Sequence, residues 1–282
     1  MKLGCSSSGR PLNADTFAAY KNAGIVGMEI SCSKQDTDAL DFSVLSSLAN
    51  EYGIELWSIH LPFCPFEIID ISRPSLADST VEYFCSLIDK ASSIGIPIAV
   101  IHPSGEPITQ EDRAARMECA KKSLYRLAEY AKTRNIVIAV EDLPRTCLGR
   151  DSSDILELVS AHPLLRVCFD TNHLLNENII DFIMKVGSKI ITTHVSDYDA
   201  INERHWLPGE GVIDWGELFS ALCTAGYNGN WVYEISLGAS SKTIDRPRSL
   251  TYDDFKRNYD EITSKKAPTP VGIGKKNLPM FP

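Results

Sequence analysis

An apolar run that ends on a carboxylate restricts the folds open to this chain. Residues 136–141 read Ile-Val-Ile-Ala-Val-Glu, without alternation of apolar and polar side chains. Such a run is typical of a strand covered on both faces, as in a parallel sheet, rather than of a half-exposed antiparallel strand. Glu141 therefore stands at the carboxyl end of a predicted strand, which is where α/β folds place their functional residues.

The same arrangement recurs at three later predicted strands. Residues 165–169 are followed by Asp170, residues 190–193 by His194 and residues 231–233 by Glu234. A single carboxylate after a strand is more often the N-cap of the next helix. Four such positions favour a shared site of metal-type ligands, because Glu is a poorer N-cap than Asp and one of the four residues is histidine.

The order of elements along the chain predicts a (β/α)8 TIM barrel. Strands are predicted at 2–6, 25–30, 55–59, 97–101, 136–141, 165–169, 190–193 and 231–233. Helices are predicted at 14–22, 42–52, 76–94, 110–134, 153–160, 179–186, 215–225 and 252–264. Eight strand–helix units favour a closed parallel barrel, and 282 residues with 44% hydrophobic content are compatible with one large core. We therefore predict a single barrel domain over residues 1–264.

The last segment, residues 265–282, has a different composition. It carries four prolines and no apolar periodicity. A tail of this kind is expected to be disordered or to pack along a neighbouring subunit, which would give a homo-oligomer held by the tail.

Charge and cysteine usage exclude several classes of protein. The formal net charge of −9 argues against nucleic acid as a partner and is compatible with a small polar substrate held by a cation. The eight cysteines include no C-x-x-C pair, so we expect reduced thiols in a cytoplasmic protein. No signal-length apolar stretch precedes Cys5, and no run approaches membrane-spanning length, so no membrane association is expected.

Histidines supply a second line of argument. Five of the six stand at or just past predicted strand ends, namely His60, His102, His173, His194 and His205. One histidine in such a place is more often a hydrogen-bonded structural residue than a ligand. Five beside three carboxylates favour a divalent-metal site, because imidazole and carboxylate are common ligands of such ions.

Three segments together resemble a known family. They read Phe-Asp-Thr-Asn-His at 169–173, Thr-His-Val-Ser-Asp at 193–197 and His-Trp-Leu-Pro-Gly-Glu-Gly-Val-Ile-Asp-Trp at 205–215. The combination of an Asp-x-x-His pattern, a strand ending in His and a Pro-Gly turn resembles the xylose-isomerase-like TIM barrels known as sugar phosphate isomerases and epimerases. The resemblance extends over nearly the whole chain and marks a superfamily rather than one reaction.

The resemblance implies a metal site and a reaction. Ketose 3-epimerases of this superfamily hold one metal ion, commonly manganese, with residues that match Glu141, Asp170, His194 and Glu234. The implied cofactor is one divalent ion, Mn²⁺ or Zn²⁺ first, with Mg²⁺ or Co²⁺ as alternatives. The implied enzyme is an isomerase or epimerase in which Glu141 and Glu234 move a proton through a metal-stabilised enediolate.

Further residues are expected around the substrate. The candidate substrate-binding residues are His60, His102, His173, Arg204, His205, Phe63 and Trp206. Phe63 and Trp206 are included because aromatic rings on mouth loops commonly stack on sugars. Asp142 and Asp197 follow ligand positions and are expected to support them. The sequence leaves open which sugar is bound and whether it is phosphorylated.

Two other enzymatic functions remain as alternative hypotheses, together with a non-enzymatic role as a sugar sensor. The ligand pattern of endonuclease IV, a three-zinc phosphodiesterase with the same barrel, can be laid over His60, His102, Glu141, Asp170, His173, His194, His205 and Glu234. Its Asp-Arg-His motif resembles Glu203-Arg204-His205. The acidic charge, and the lack of a basic loop with intercalating aromatics, weigh against a nuclease. The other reading is a lyase of the inosose dehydratase or isomerase type.

Overall fold

A computed structural model describes residues 1–275, and in this range eight parallel strands close into a barrel. The strands are β1 (Lys2–Ser6), β2 (Gly27–Ser31), β3 (Glu55–His60), β4 (Ile98–Ile101), β5 (Val137–Glu141), β6 (Arg166–Asp170), β7 (Ile190–Val195) and β8 (Asn230–Tyr233). Strand β8 pairs with β1 and thereby closes the sheet. The prediction of a (β/α)8 barrel is confirmed.

Helices connect the strands and cover the outside of the barrel. They are α1 (Ala14–Asn22), α2 (Lys34–Ala39), α3 (Phe42–Tyr52), α4 (Ala77–Ser93), α5 (Arg113–Lys132), α6 (Ser152–Val159), α7 (Ile179–Val186), α8 (Trp215–Thr224) and α9 (Tyr252–Thr263). Helix α2 was not predicted, because its sequence Lys-Gln-Asp-Thr-Asp-Ala has no apolar stripe and buries only Thr37. In the described range, no helix is both long enough and apolar enough to span a membrane.

A small apolar layer fills the barrel interior beneath the functional end. It consists of Val100, Ala139 and Cys168, all fully buried. Side chains two residues apart on a strand share a face, so Glu141 and Asp170 lie one layer above Ala139 and Cys168. The carboxylates therefore lie on a buried apolar layer rather than over an open channel.

Trp57 fills another part of the core and requires two glycines. A Cβ added to Gly4 or Gly27 would lie 2.3 or 2.1 Å from its indole ring, closer than any real carbon contact. Trp231 is fully buried and packs edge-to-face against Trp215, with ring centroids 6.1 Å apart. These three tryptophans are core residues.

Part of the C-terminal segment packs on the barrel of its own chain. Strand β10 (Ile273–Gly274) pairs antiparallel with β9 (Ile244–Asp245), and the N–H of Gly272 donates to Oε1 of Glu210 at 2.8 Å. Disorder or packing along a neighbouring subunit was expected for 265–282, and this intramolecular pairing differs from both. Residues 276–282 lie outside the described range, and a homo-oligomer formed through the tail stays a prediction.

Candidate active site

Four acidic or imidazole side chains converge at the carboxyl end of the barrel, on or directly after β5 to β8. Glu141, Asp170, His194 and Glu234 each offer one ligand atom, and these atoms all lie within 4.8 Å of one another. Nδ1 of His194 lies 3.0 Å from Oε1 of Glu141, 3.5 Å from Oε2 of Glu234 and 3.8 Å from Oδ2 of Asp170. The fold thus brings together the four residues that the sequence grouped as ligands.

Two further histidines contact the second carboxylate oxygen of Glu141. Nε2 of His60 lies 2.9 Å from Oε2 of Glu141, and Nε2 of His102 lies 3.2 Å from the same oxygen. Nδ1 of His60 lies 2.9 Å from the carbonyl oxygen of Leu61, which only a protonated nitrogen can contact favourably. Nε2 of His60 therefore either carries the second proton of an imidazolium or directs a lone pair at a cation.

A second group lies beside the first. His173, Glu203 and His205 offer ligand atoms that also lie within 4.8 Å of one another. Nδ1 of His173 lies 2.8 Å from the carbonyl oxygen of Asp142, and its Nε2 lies 3.2 Å from Oε2 of Glu203. Nδ1 of His205 lies 3.2 Å from the carbonyl oxygen of Glu234. The backbone thus orients both imidazoles, with Nε2 of His173 directed at Glu203.

Asp142 and Asp197 have different supporting roles. Oδ1 of Asp142 accepts a hydrogen bond from the N–H of Asp170 at 2.7 Å, so it positions a candidate ligand directly. Asp197 instead accepts from the N–H of Gly209 at 2.8 Å and from the indole N–H of Trp215 at 2.9 Å. Asp197 therefore holds the Pro-Gly turn rather than a ligand side chain.

Glu29 on β2 belongs to the site and was missed by sequence reasoning. Its side chain is fully buried, and Oε1 lies 2.8 Å from Nε2 of His194, although the approach is too bent for a hydrogen bond. The hydroxyl of Ser58 donates to Oε2 at 2.7 Å. A negative charge on the far side of a ligand imidazole favours a proton on Nε2 and a lone pair on Nδ1, which faces the cluster.

Arg145 is another missed residue. It lies in the left-handed region with φ of 55°. Its guanidinium contacts Glu106, donates to Oδ1 of Asn202 at 2.7 Å and donates to Oε1 of Glu203 at 3.1 Å. These partners lie on the loops after β4 and β7, and Arg145 itself lies on the loop after β5. It therefore fixes the orientation of Glu203 toward His173.

Burial shifts the pKa values of the buried acids in different directions. Burial raises the pKa of Asp170 to about 6 and raises that of Asp142 well above its ordinary value. Burial opposes ionisation of Glu141 too, but His194 and His102 outweigh it and hold the pKa of Glu141 well below the usual range. Burial alone would lower the pKa of His173, but nearby carboxylates, including that of Asp170, raise it well above its ordinary value. The cluster thus holds protons that a cation would displace.

The donor set fits a divalent metal ion. Oδ2 of Asp170 is buried and has no hydrogen-bond partner within residues 1–275. A buried carboxylate oxygen without a partner is costly unless a cation satisfies it. Three carboxylates and one imidazole are suitable ligands for such an ion. We conclude that Glu141, Asp170, His194 and Glu234 could hold one.

A cavity of about 700 Å³ opens above this cluster. Of the predicted site residues, it is lined by Glu141, Glu234, His60, His102, His173, His205 and Phe63. Asp170 and His194 are fully buried and lie beneath the cavity rather than in its lining. Phe63 is 38% exposed, and its ring stacks on His102 with centroids 4.2 Å apart.

Arg204 does not line the cavity, contrary to expectation. The amide oxygen of Asn172 accepts from the N–H groups of Arg204 and His205 at 2.7 and 3.3 Å, and His205 has a φ of 52°. This sharp turn directs the imidazole of His205 to the cavity. The guanidinium of Arg204 is buried elsewhere, where Nε lies 2.8 Å from Oδ2 of Asp199.

Trp206 does not line the cavity either. It is 2% exposed, and its ring packs so closely on Gly274 that a Cβ there would lie 2.3 Å from Cζ3. Its backbone N–H and carbonyl pair with those of Asp197 at 3.0 and 2.8 Å. Trp206 therefore anchors the Pro-Gly turn, and of the two aromatic residues predicted at the site only Phe63 lines the cavity.

The fold and site define a class: (β/α)8 barrels that gather carboxylates and imidazoles over the carboxyl ends of their strands. Residues 17–250 match the family described as xylose isomerase-like TIM barrel, so the chain belongs to this family. The match covers more than half of the chain and includes every candidate ligand.

Three individual proteins illustrate what this chain is similar to. An uncharacterized protein of Methanocaldococcus jannaschii is 26% identical over 194 residues, which cover 66% of each chain. Fructoselysine 3-epimerase of Escherichia coli O157:H7 is 27% identical over 120 residues, which cover 40% of this chain and 44% of that enzyme. Similarity therefore spans less than half of that epimerase. A solved D-tagatose 3-epimerase-like protein is 25% identical with a TM-score of 0.72, covering 83% of this chain and 90% of that one.

Proposed function

We propose that this protein is a divalent-metal-dependent epimerase or isomerase of ketoses. The observation that carries the proposal is the group Glu141, Asp170, His194 and Glu234 at the base of the 700 Å³ cavity. A cavity of this size is in the range of small-molecule sites, about 300–1,000 Å³. Similarity to a fructoselysine 3-epimerase and to a D-tagatose 3-epimerase-like protein supports the same class of reaction.

The four ligands would hold one ion, with Mn²⁺ or Zn²⁺ as the expected species. Bound there, the ion would supply positive charge that stabilises negative charge developing on substrate oxygens. Asp170 and His194 are fully buried and serve only to hold it. Glu141 and Glu234 line the cavity and can also reach a substrate.

Glu141 and Glu234 are the proposed proton carriers. Strands β5 and β8 are three places apart in the eight-stranded barrel, so the two carboxylates approach the cavity from different sides. Burial opposes ionisation of Glu234, but His194 and His205 lower its pKa below the ordinary value. Both groups are thus carboxylates at neutral pH. Glu141 or Glu234 removes the proton next to the carbonyl as a carboxylate. The other first takes up a proton from solvent and gives it to the opposite face, which inverts that carbon, and the first carboxyl group then releases its proton to solvent.

The cavity histidines are proposed to bind sugar hydroxyl groups. His60 and His102 contact Oε2 of Glu141, and they keep this carboxylate oriented while the proton is transferred. His173 and His205 also line the cavity, and their Nδ1 atoms face backbone carbonyls. Nε2 of His205 is therefore available to the substrate, whereas Nε2 of His173 is shared with Glu203. The ring of Phe63 supplies an apolar face for the sugar C–H groups.

A second candidate is favoured by a specific observation. The groups His60, Glu141 and His194, and His173, Glu203 and His205, each gather ligand atoms within 4.8 Å in addition to the four-residue group. Three groups, two of which share Glu141 and His194, are compatible with a three-zinc phosphodiesterase. The net charge of −9 still weighs against a duplex DNA substrate, so we place this function second.

Metal content and proton exchange test the two candidates together. The protein is loaded with Mn²⁺ or Zn²⁺, dialysed and analysed for metal, and D-fructose, D-tagatose and L-ribulose are incubated with it in D2O. One ion per chain, with deuterium entering carbon 3 and the epimer forming, is the expected result. Three ions per chain, with cleavage of abasic duplex DNA and no exchange into any ketose, would instead establish the phosphodiesterase.

A further inference from the structure

A second cavity opens beside the first and shares its wall. It has a volume of about 790 Å³. We call it the side chamber, lined by residues 8–12, 31–34, 36, 39–41, 44–45 and 62–64. Ser8, Gly9, Arg10 and Phe63 line both cavities, so the two spaces meet at these residues. The side chamber lies between the loops after β1 and β3 and the helices α2 and α3.

The residues at the junction are held in place by the barrel itself. The guanidinium of Arg10 donates to the carbonyl oxygens of Ser6 and Ser8 at 2.9 and 2.8 Å, and to that of Ile235 at 2.8 Å. Opposite it, Phe63 stacks on His102. Arg10 is thus fixed across the ends of the barrel, and the passage does not depend on an unconstrained side chain.

The size of the combined space exceeds what a single sugar needs. The active-site cavity alone, at about 700 Å³, lies within the range of about 300–1,000 Å³ that accommodates whole drug-sized ligands. A free ketose would leave the side chamber filled with water. A substrate with a substituent directed past Phe63 and Arg10 would use both spaces.

The charged side chains of α2 and of the N-cap of α3 that line the side chamber have partners on the same helices, whereas Arg10 at the junction is held by carbonyl oxygens. Nζ of Lys34 lies 2.5 Å from Oδ2 of Asp38, and the hydroxyl of Ser33 donates to Asp36 at 2.7 Å. Asp41 caps α3 through the N–H of Ser43 at 2.9 Å. The other wall residues include the apolar side chains Pro11, Leu12, Leu40, Val44 and Leu45. Such a wall favours an uncharged, largely apolar group over a phosphate, which needs unengaged cations.

We propose that the substrate is a ketose carrying an uncharged, largely apolar substituent on a carbon outside the reacting pair, and that the side chamber binds this substituent. The inference rests on the proposed ketose chemistry and names its substrate class. The substituent lies away from the carbonyl and its neighbour, because both must remain free for proton transfer. Burial of each added carbon in an apolar pocket is worth about tenfold or more in kcat/KM.

The test compares three probes by deuterium incorporation from D2O at carbon 3. They are D-fructose, 6-O-benzyl-D-fructose and D-fructose 6-phosphate. We expect kcat/KM for the benzyl ether to exceed that for either other probe about tenfold or more. A ratio near one between benzyl ether and D-fructose, or a preference for the phosphate ester, would overturn the inference.

Variants locate the effect in the side chamber. Val44→Trp and Ala39→Trp fill it from two exposed helix positions, so either remains informative if the other fails to fold. Both are expected to bring the benzyl-to-fructose ratio toward one. Met184→Trp is the matched control, because Met184 and Val44 are each 53% exposed and Met184 is remote from both cavities. If both side-chamber variants keep the ratio, the inference is wrong.

Failure of the proposed function would look different. If no probe takes up deuterium with any added metal, the ketose chemistry itself fails and the substrate assignment falls with it. If deuterium enters D-fructose and the benzyl ether equally, the ketose chemistry stands and only the substrate class is refuted.

Discussion

Replacing Glu29 by glutamine should weaken metal binding without disturbing the fold. Glu29 touches no substrate and lies behind His194, with Oε1 2.8 Å from Nε2. Glutamine has nearly the same shape, and its amide oxygen can still accept the hydrogen bond from Ser58. The substitution therefore removes one negative charge and leaves the packing as it is.

The size of the effect follows from the position of Glu29. Loss of a group that orients a histidine ligand from behind typically weakens metal affinity by about 10–100-fold. This range corresponds to about 1.4–2.8 kcal/mol of binding free energy. Neither residue is exposed, so solvent does not screen the charge. Because the approach is too bent for a hydrogen bond, the lower half of the range is expected.

Competition with a chromophoric chelator measures the Kd for Zn²⁺ or Mn²⁺ without relying on enzyme activity. Glu55→Gln is the control, because Glu55 lies on the neighbouring strand β3 but is exposed and paired with Lys2. Thermal unfolding of both metal-free variants checks that the barrel is intact. An unchanged Kd for Glu29→Gln, with a folded protein, would refute the role assigned to Glu29.

Three further predictions address the site and the fold. Glu234→Gln should lower kcat by about 10²–10⁴-fold, measured as ketose epimerisation, and near wild-type turnover would exclude the two-carboxylate mechanism. The His194→Ala variant should lose the ion on dialysis, whereas the His60→Ala variant should retain it, as measured by elemental analysis. Loss of the ion from both variants would indicate that His60 is a ligand. Hydrogen bonding, mainly to Arg248, lowers the pKa of Asp254. Its carboxylate therefore stabilises the fold above the unfolded pKa of about 3.9, and this stabilisation decreases as the pH falls below that value. Asp254→Asn should therefore cost about 1 kcal/mol at pH 7 and progressively less below about pH 4 in urea unfolding, and a pH-independent cost would contradict this.

The ligand set was readable from sequence because regular strands fix side-chain direction. Once 136–141 is a buried strand, Glu141 has to lie at its carboxyl end, and parallel strands bring all such ends to one edge. Glu29 was missed because Gly-Met-Glu-Ile-Ser was read only as a core strand. Its alternation in fact separates Gly27, Glu29 and Ser31 from apolar Met28 and Ile30, which marks an inward polar face.

Loop residues were harder to place, and the reason is geometric. Arg204 and Trp206 flank His205, whose positive φ and shared anchor on Asn172 reverse the chain direction within two residues. No periodicity predicts which side chain then faces the cavity. Arg145 likewise has a positive φ in an irregular loop, so nothing local in the sequence identified it as a contact of Glu203.

The pairing of β10 with β9 has a consequence for vectorial synthesis on the ribosome. Glu210, in the turn that follows His205, forms a buried ion pair with Arg246 and also accepts the N–H of Gly272, which lies 62 residues further along the chain. A nascent chain that has only emerged as far as this turn lacks both partners, and the Glu210 carboxylate is then fully solvated. The turn that follows His205 therefore completes its contacts only after residues 246 and 272 have been synthesised, which is later than the synthesis of all eight barrel strands.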